Sequence, residues 1–414
     1  MEQLQVKATA GTGIEMAGEP RITSPRGFTA AGLHAGIKRK RKDLGLITCE
    51  VPATAAAVYT LNTYQAAPLM VTREGLAVEG KMQAMIVNSG NANACTGPRG
   101  MEDAKEMRRE TARWLDIPEH LVGVASTGVI GEPLPMHQIG LGIPNLVKEL
   151  GPAGHDSFCQ AILTTDTCTK AVEVRLTVDG REVRVAGVAK GSGMVHPRMA
   201  TMLAFINTDA AIERPALQSL LRDVTDETFN MITVDGDCST NDMVSVMASG
   251  LAGNDPLTPE HPDWPLFFQA FSHVARGLAQ RIARDGEGAT RLVEVVVTGA
   301  ETREEARRAA KAIVGSSLVK TAVFGADPNW GRILCALGYS GTRFISDRVD
   351  LYIGSVCAVQ NGCPVPMMEV AARKALAQDP ARIRVDLKQG DAGATAWGCD
   401  LTYDYVRINA NYRT

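Results

Sequence analysis

A mixed fold, of α/β or α+β type, is predicted by three observations. Short apolar runs of strand length recur along the chain, amphipathic helical patterns lie between them, and the marker sequences of nucleotide-binding folds are absent. The first strand-like run, Leu44 to Val51, follows the basic cluster Lys38-Arg-Lys-Arg-Lys42, which reads as a solvated loop. Ala84-Met-Ile-Val87 is a second strand. Met101 to Leu115 carries apolar or small residues at helical spacing, and Pro118 follows shortly after its end. Val183, Val185 and Val188 predict a strand that runs into Gly191-Ser-Gly193, where glycine permits a tight turn. Another strand opens at Thr201, with Met202, Ala204 and Ile206 alternating against Leu203, Phe205 and Asn207. Further on, Leu292-Val-Glu-Val-Val-Val297, Lys320-Thr-Ala-Val-Phe324 and Val349-Asp-Leu-Tyr-Ile353 read as strands. Glu304 to Ile313 reads as a helix: it follows Thr302, is acidic in its first turn and stops at Gly315.

Composition narrows the class. A chain of 414 residues can bury a large core in two or three structural units, or in one interlocked unit. A hydrophobic content of 45% with 21% charged residues is ordinary for a soluble enzyme, and a net charge of -3 gives no electrostatic reason to bind nucleic acid. The nine cysteines include no Cys-x-x-Cys pair, and an odd count spread through so long a chain argues for a reducing compartment. The first residues lack the apolar core of a secretory signal, and no apolar run approaches the ~20 residues that cross a bilayer. The expectation is a cytoplasmic protein with no membrane or nucleic-acid partner. The seven histidines show no metal-ligand spacing, and there is no Gly-x-Ser-x-Gly elbow for a Ser–His–Asp triad. Asp235-Gly-Asp-Cys-Ser-Thr-Asn-Asp242 lacks the glycine and glutamate of a calcium loop. No metal is expected.

The chemistry-bearing segment is Lys190-Gly-Ser-Gly-Met-Val-His-Pro-Arg-Met-Ala-Thr-Met-Leu203. It sets a hydroxyl, Thr201, behind the small residue Ala200. A threonine is a weak nucleophile unless a base takes its proton. Cutting the chain before Thr201 would supply that base as a new α-amine, whose pKa of about 7.7–8 suits general-base work. As a lone Ala-Thr in an apolar run, the pair would simply be part of a buried strand.

The whole segment resembles the glutamate N-acetyltransferase (ornithine acetyltransferase, ArgJ) family of arginine biosynthesis, whose precursors cleave themselves between this Ala and this Thr. The likeness continues in Asn88-Ser-Gly-Asn-Ala-Asn-Ala-Cys-Thr-Gly97, Ser126-Thr-Gly-Val-Ile-Gly131 and Thr164-Thr-Asp166. It extends through Asp285-Gly-Glu-Gly-Ala-Thr290, Gly325-Ala-Asp-Pro-Asn-Trp-Gly-Arg332 and Asn409-Ala-Asn-Tyr-Arg-Thr414. His196 and Arg198 flank Pro197, and Arg198 stands where the family usually has Asn.

The resemblance implies a layered α/β sandwich, self-processed into residues 1–200 and 201–414 as two associated chains, with two copies of each in a heterotetramer. It implies transfer of acetyl from N2-acetylornithine to L-glutamate through acetyl-Thr201. It assigns the oxyanion site to the Thr127 hydroxyl and the Gly128 N–H, and substrate recognition to Thr164, Lys190, Thr201, Glu287, Asn409 and Thr414. Glu287 suits the side-chain amine of ornithine, and Lys190 suits an α-carboxylate. Cys95 lies in a matching motif, but a buried structural thiol is its expected role. No cofactor is implied; some members also use acetyl-CoA, which is therefore a candidate co-substrate. The rival reading is a Thr-dependent amidohydrolase or aminopeptidase, with water as acceptor.

Overall fold

Residues 13–196, 202–366 and 369–411 are described by a computed structural model. In chain order the strands are β1 (Ile14–Met16), β2 (Phe28–Leu33), β3 (Leu44–Tyr59), β4 (Lys81–Asn91), β5 (Val122–Val129), β6 (Lys170–Val178), β7 (Arg181–Lys190) and β8 (Leu203–Thr208). They continue with β9 (Ile232–Thr233), β10 (Met243–Ala248), β11 (Leu292–Ala300), β12 (Asp350–Ile353), β13 (Val356–Gln360), β14 (Cys363–Pro364), β15 (Ala381–Asp386) and β16 (Ala392–Cys399). The helices are α1 (Ala67–Glu79), α2 (Gly97–Leu115), α3 (Met136–Lys148), α4 (His155–Ala161), α5 (Arg214–Glu227) and α6 (Trp264–Arg284). After them come α7 (Arg303–Gly315), α8 (Ser317–Phe324), α9 (Trp330–Gly338), α10 (Glu369–Leu376) and α11 (Tyr403–Ala410). The chain forms two compact units, one of Met1–Gly191, Arg198–Asp226 and Cys238–Leu278, the other of Ser192–Pro197, Glu227–Asp237 and Ala279–Thr414.

In the first unit the strands lie in the order β1-β6-β7-β8-β10-β3-β4-β5, with β2 also on β3. Alternate residues of the central strands feed two core layers. Ile47, Met85, Val87 and Ala125 pack with Phe158 and Phe205, while Leu46, Ala84, Ile86 and Val124 pack with Met107, Ile139 and Ile143. A sheet covered on both faces has strands that are apolar on both faces, which is why Ala84–Val87 is a continuous apolar run. The same cause leaves every residue of β8 buried.

β6 and β7 form a hairpin across Asp179-Gly180, with φ of 51° and 71°, as a two-residue primed turn requires. β7 then pairs antiparallel with β8, Lys190 opposite Leu203, and β8 pairs parallel with β10. Helix α6 seats on β7 at Gly187, where a Cβ would meet Leu278 Cδ1 at 2.8 Å.

The second unit holds the sheet β14-β13-β12-β15-β11-β16-β9. β11 is parallel to β15 and antiparallel to β16. Helix α7 begins as its sequence predicts, with the Thr302 hydroxyl accepting the Glu305 N–H at 3.2 Å, and it buries Ala306, Ala309, Ala310 and Ile313.

Three local expectations are corrected. Lys320–Phe324, expected as a strand, belongs to helix α8: Ser316 caps it through the Val319 N–H, and Val319, Ala322 and Val323 are buried at helical spacing. The buried Lys320 places its Nζ 2.6 Å from the Cys399 carbonyl. The basic cluster is not simply solvated: Lys38 and Lys42 are half-buried, and Lys42 Nζ donates to the Gly32 carbonyl at 2.7 Å. Cys95 is exposed rather than buried, at the left-handed φ of 57°. All nine cysteines are free thiols, and none of the described helices is long and apolar enough to cross a membrane.

Candidate functional site

The first unit gathers four of the expected residues around the ends of its strands. Thr127 and Gly128 close β5, where Ser89 and Gly90 of the parallel strand β4 are their register partners. Gly128 has φ of 136°, and a Cβ there would stand 2.3 Å from the Gly90 carbonyl carbon and 2.5 Å from the Asn91 nitrogen. Only glycine fits, so the backbone at this point is fixed by its neighbour strand. A buried amide network holds the rest of the motif. Asn241 Nδ2 donates to the Ser126 carbonyl at 2.8 Å and to the Ala92 carbonyl at 2.6 Å, and Ser126 Oγ donates to Asn88 Oδ1 at 2.5 Å.

Lys190 ends β7 with its side chain buried. Its Nζ lies 2.8 Å from Thr164 Oγ1 and 3.4 Å from Thr127 Oγ1. An ammonium can only donate, so both hydroxyls accept from it and turn their own protons toward other acceptors. The lysine thus orients two O–H donors as well as carrying charge.

Asp166 braces this arrangement. Its Oδ1 accepts from Lys170 Nζ and from the Gly191 N–H, both at 2.7 Å, and its Oδ2 accepts the Thr164 N–H at 3.1 Å. Burial alone would raise its pKa. The opposing charges of Lys190 and Lys170, with the hydrogen bonds, hold the carboxyl well below the usual range. Asp242, next to the bond of 3.1 Å from the Met243 N–H to the Met202 carbonyl, is the opposite case. Burial pushes its carboxyl well above the usual range.

The second unit brings together two further residues. Glu287 is buried, its N–H donates to the Ser192 carbonyl at 2.9 Å, and Asn409 Nδ2 donates to its Oε2 at 2.8 Å. Ser192 Oγ donates to the Asp285 carbonyl at 2.7 Å. A Cβ at Gly193 would lie 2.4 Å from the Glu287 carboxyl carbon, so this glycine is what lets the carboxylate approach the backbone. Nearby, burial first and then Asp235, Asp237 and Glu287 raise the Tyr405 phenol, keeping it protonated. Asp235 accepts the Met194 and Val195 N–H groups at 2.6 and 2.8 Å, which shapes the segment after Gly193.

Glu287 in an Asp-Gly-Glu-Gly stretch would read as a surface turn on its own sequence; the structure buries it. Ala200, Thr201 and Thr414 lie outside the described residues. The sequence motifs assign no role to Asp166, Lys170 or Asp242. Asp166 is visible as the end of a matching motif, whereas Lys170 and Asp242 have no spacing signal to reveal them. Elsewhere in the first unit Asp179, His261 and Asp263 cluster, but hydrogen bonds among themselves and to local backbone account for them.

A family model described as the ArgJ family matches residues 29–414. The arginine biosynthesis bifunctional protein ArgJ of Halalkalibacterium halodurans is 59% identical over 394 residues, covering 95% of this chain and 96% of its own. The protein of the same name from Bacillus anthracis is 52% identical over 409 residues, 99% of this chain and 100% of its own. A crystal structure of the argJ protein from Bacillus halodurans is 56% identical, with a TM-score of 0.50, and covers 50% of this chain and 98% of its own.

Proposed function

The chain belongs to the ArgJ family, and from that membership we propose that it transfers acetyl from N2-acetylornithine to L-glutamate, with Thr201 carrying the acetyl group between them. The observation that supports this best is the convergence of Thr127, Gly128, Thr164 and Lys190, drawn from separate motifs. They meet at the ends of β5 and β7, where Lys190 reaches both threonine hydroxyls and Asp166 accepts the N–H of the next residue, Gly191.

In this reading the precursor first cuts itself between Ala200 and Thr201, and the freed α-amine becomes the base for the Thr201 hydroxyl. The hydroxyl attacks the acetyl carbonyl of the donor. The tetrahedral oxyanion accepts from the Thr127 O–H and the Gly128 N–H; as it collapses, the α-ammonium passes the hydroxyl's proton to the departing nitrogen, which releases ornithine and leaves acetyl-Thr201. The neutral amine of glutamate attacks that ester, the Thr201 α-amine carries its proton to Thr201 Oγ as the C–O bond breaks, and N-acetylglutamate departs. Lys190 and Thr164 bind the α-carboxylate, while Glu287, Asn409 and Thr414 are assigned to the side-chain amine of the donor. The reading includes acetyl-CoA as an alternative donor, two copies of each fragment in the assembly, and a cytoplasmic location in keeping with nine free thiols. The half-length chain of the solved relative has the size expected of one fragment.

Intact-mass measurement tests it. The purified protein should contain residues 1–200 and 201–414 as separate fragments that elute together, and Thr201→Ala should be a single chain without transfer activity. N2-acetylornithine alone should add one acetyl group to the 201–414 fragment, and glutamate should remove it. Wild type that stays whole on prolonged incubation rejects self-cleavage. Acetate as the main product, indifferent to glutamate, gives the case to a hydrolase.

A further inference from the structure

The basic run at residues 38–42 turns two of its cations back onto the chain at residues 163–164. Lys38 Nζ donates to the Leu163 carbonyl at 2.9 Å, and the Arg41 guanidinium donates to the Thr164 carbonyl at 3.3 Å. The loop is set by the buried carboxylate of Asp43, which accepts the N–H groups of Ala35, Gly36 and Lys38 at 2.6, 3.2 and 2.8 Å. The Lys38 stem lies on Gly90, where a Cβ would stand 2.8 Å from its Cγ. Gly90 is the register partner of Gly128. Lys38 therefore reaches the same strand ends as the proposed oxyanion site, and Arg41 reaches the residue whose hydroxyl accepts from Lys190.

Lys38, Arg41, Lys170 and Lys190 bring four positive charges to this neighbourhood, against the carboxylates of Asp43 and Asp166. Both carboxylates already accept several donors. Lys38 is half-buried, Lys170 and Lys190 are buried, and Arg41 stands exposed at the edge; such a local surplus of cations favours an anionic ligand, and charge-assisted hydrogen bonds to it are strong. The two amino acids that exchange acetyl share an α-carboxylate, but their side chains end in opposite charges. We propose that Lys38 and Arg41 bind the side-chain carboxylate of the dicarboxylic acceptor and so determine its selection. This assignment rests on the acetyl-transfer reading.

The pH dependence is specific. Burial lowers the Lys38 pKa to about 8; Asp43 and Asp166 oppose that shift, while Arg41 and Lys190 add to it. Lys38 is charged below that value and loses its charge above it, so glutamate should bind more weakly above about pH 8, while neutral glutamine should not.

The test compares Lys38→Met and Arg41→Met, with the exposed Lys40→Met as control, in the processed enzyme. Glutamate binding is read by calorimetry, and the two half-reactions are read separately. Loss of one charge-assisted contact predicts about 10- to 100-fold weaker glutamate binding in Lys38→Met. The preference for glutamate over glutamine should fall by the same factor, and the alkaline loss of glutamate binding should disappear. Acetylation by N2-acetylornithine alone should persist, which also reports that the variant is folded. Unchanged glutamate binding overturns the assignment, as does joint loss of both half-reactions, which would mean a structural strap or recognition of the shared α-carboxylate. Weaker acetyl-CoA use with unchanged glutamate binding also overturns it, in favour of a phosphate. If wild type binds glutamate through Lys38 yet transfers no acetyl, the assignment stands and the acetyl-transfer reading alone fails.

Discussion

The two groups of candidate residues are built in different ways. In the first unit, Thr127, Gly128 and Lys190 sit at the ends of paired strands, and every residue of β7 from Val185 to Lys190 is buried. In the second unit, Glu287 lies in a loop, and its partner Asn409 lies on α11, a helix with no buried residue. The first group is rich in cations and hydroxyl donors; the second is centred on a carboxylate. In the proposed reading the first group meets a developing oxyanion, which calls for positions fixed before the reaction, and sheet pairing supplies them. A group that recognises a side chain tolerates a softer mounting.

Perturbing the first group should therefore cost most. Gly128→Ala would set a Cβ against the Gly90 backbone at a φ that side chains rarely adopt. We expect turnover to fall more than the roughly 10²-fold predicted for Thr127→Ala, which removes one donor and leaves the backbone alone. Single-turnover acetylation of the 201–414 fragment measures both, and a Gly128→Ala enzyme of normal rate would put the oxyanion site elsewhere. In the second group, Glu287→Gln should raise KM for N2-acetylornithine about tenfold through loss of a charged partner. Fragment masses and KM for glutamate should stay as in wild type; an equal change for both substrates would erase the contrast between the groups.

The smallest expected effect is on stability. The Asp166 carboxyl is held below its unfolded value, so its contribution is present above about pH 4 and is lost as pH falls through the folded pKa. The melting temperature should drop on acidification, and Asp166→Asn should show less of that drop while melting lower than wild type at neutral pH. Parallel curves for the two proteins would mean that Asp166 does not carry this linkage.

Much of this was legible in the sequence because it lies in local signals. The helix after Thr302 was announced by its cap and acidic first turn, and the β7 strand by its valines. Lys320–Phe324 misled because a five-residue stretch with only Ala-Val-Phe apolar fits a strand as well as a helix, and the capping Ser316 lies outside it. The candidate site was legible as motifs, but not as a mechanism. Nothing in Lys170 or Asp242 sets them apart until the fold places them, and Lys38 looked like one more charge in a basic run. Its inward turn depends on Asp43 and on Leu163, which is 125 residues away.

The proposed cut falls between β7 and β8, neighbours in one sheet. β8 is hydrogen-bonded on both sides, to β7 and to β10. Each fragment made alone would therefore present a raw strand edge, apolar and open to pairing with other chains. Once cut, the protein folds again only by encounter of two molecules, so its recovery from denaturation becomes concentration-dependent where that of the precursor is not. Synthesis as one chain gives the sheet its one unimolecular chance to form.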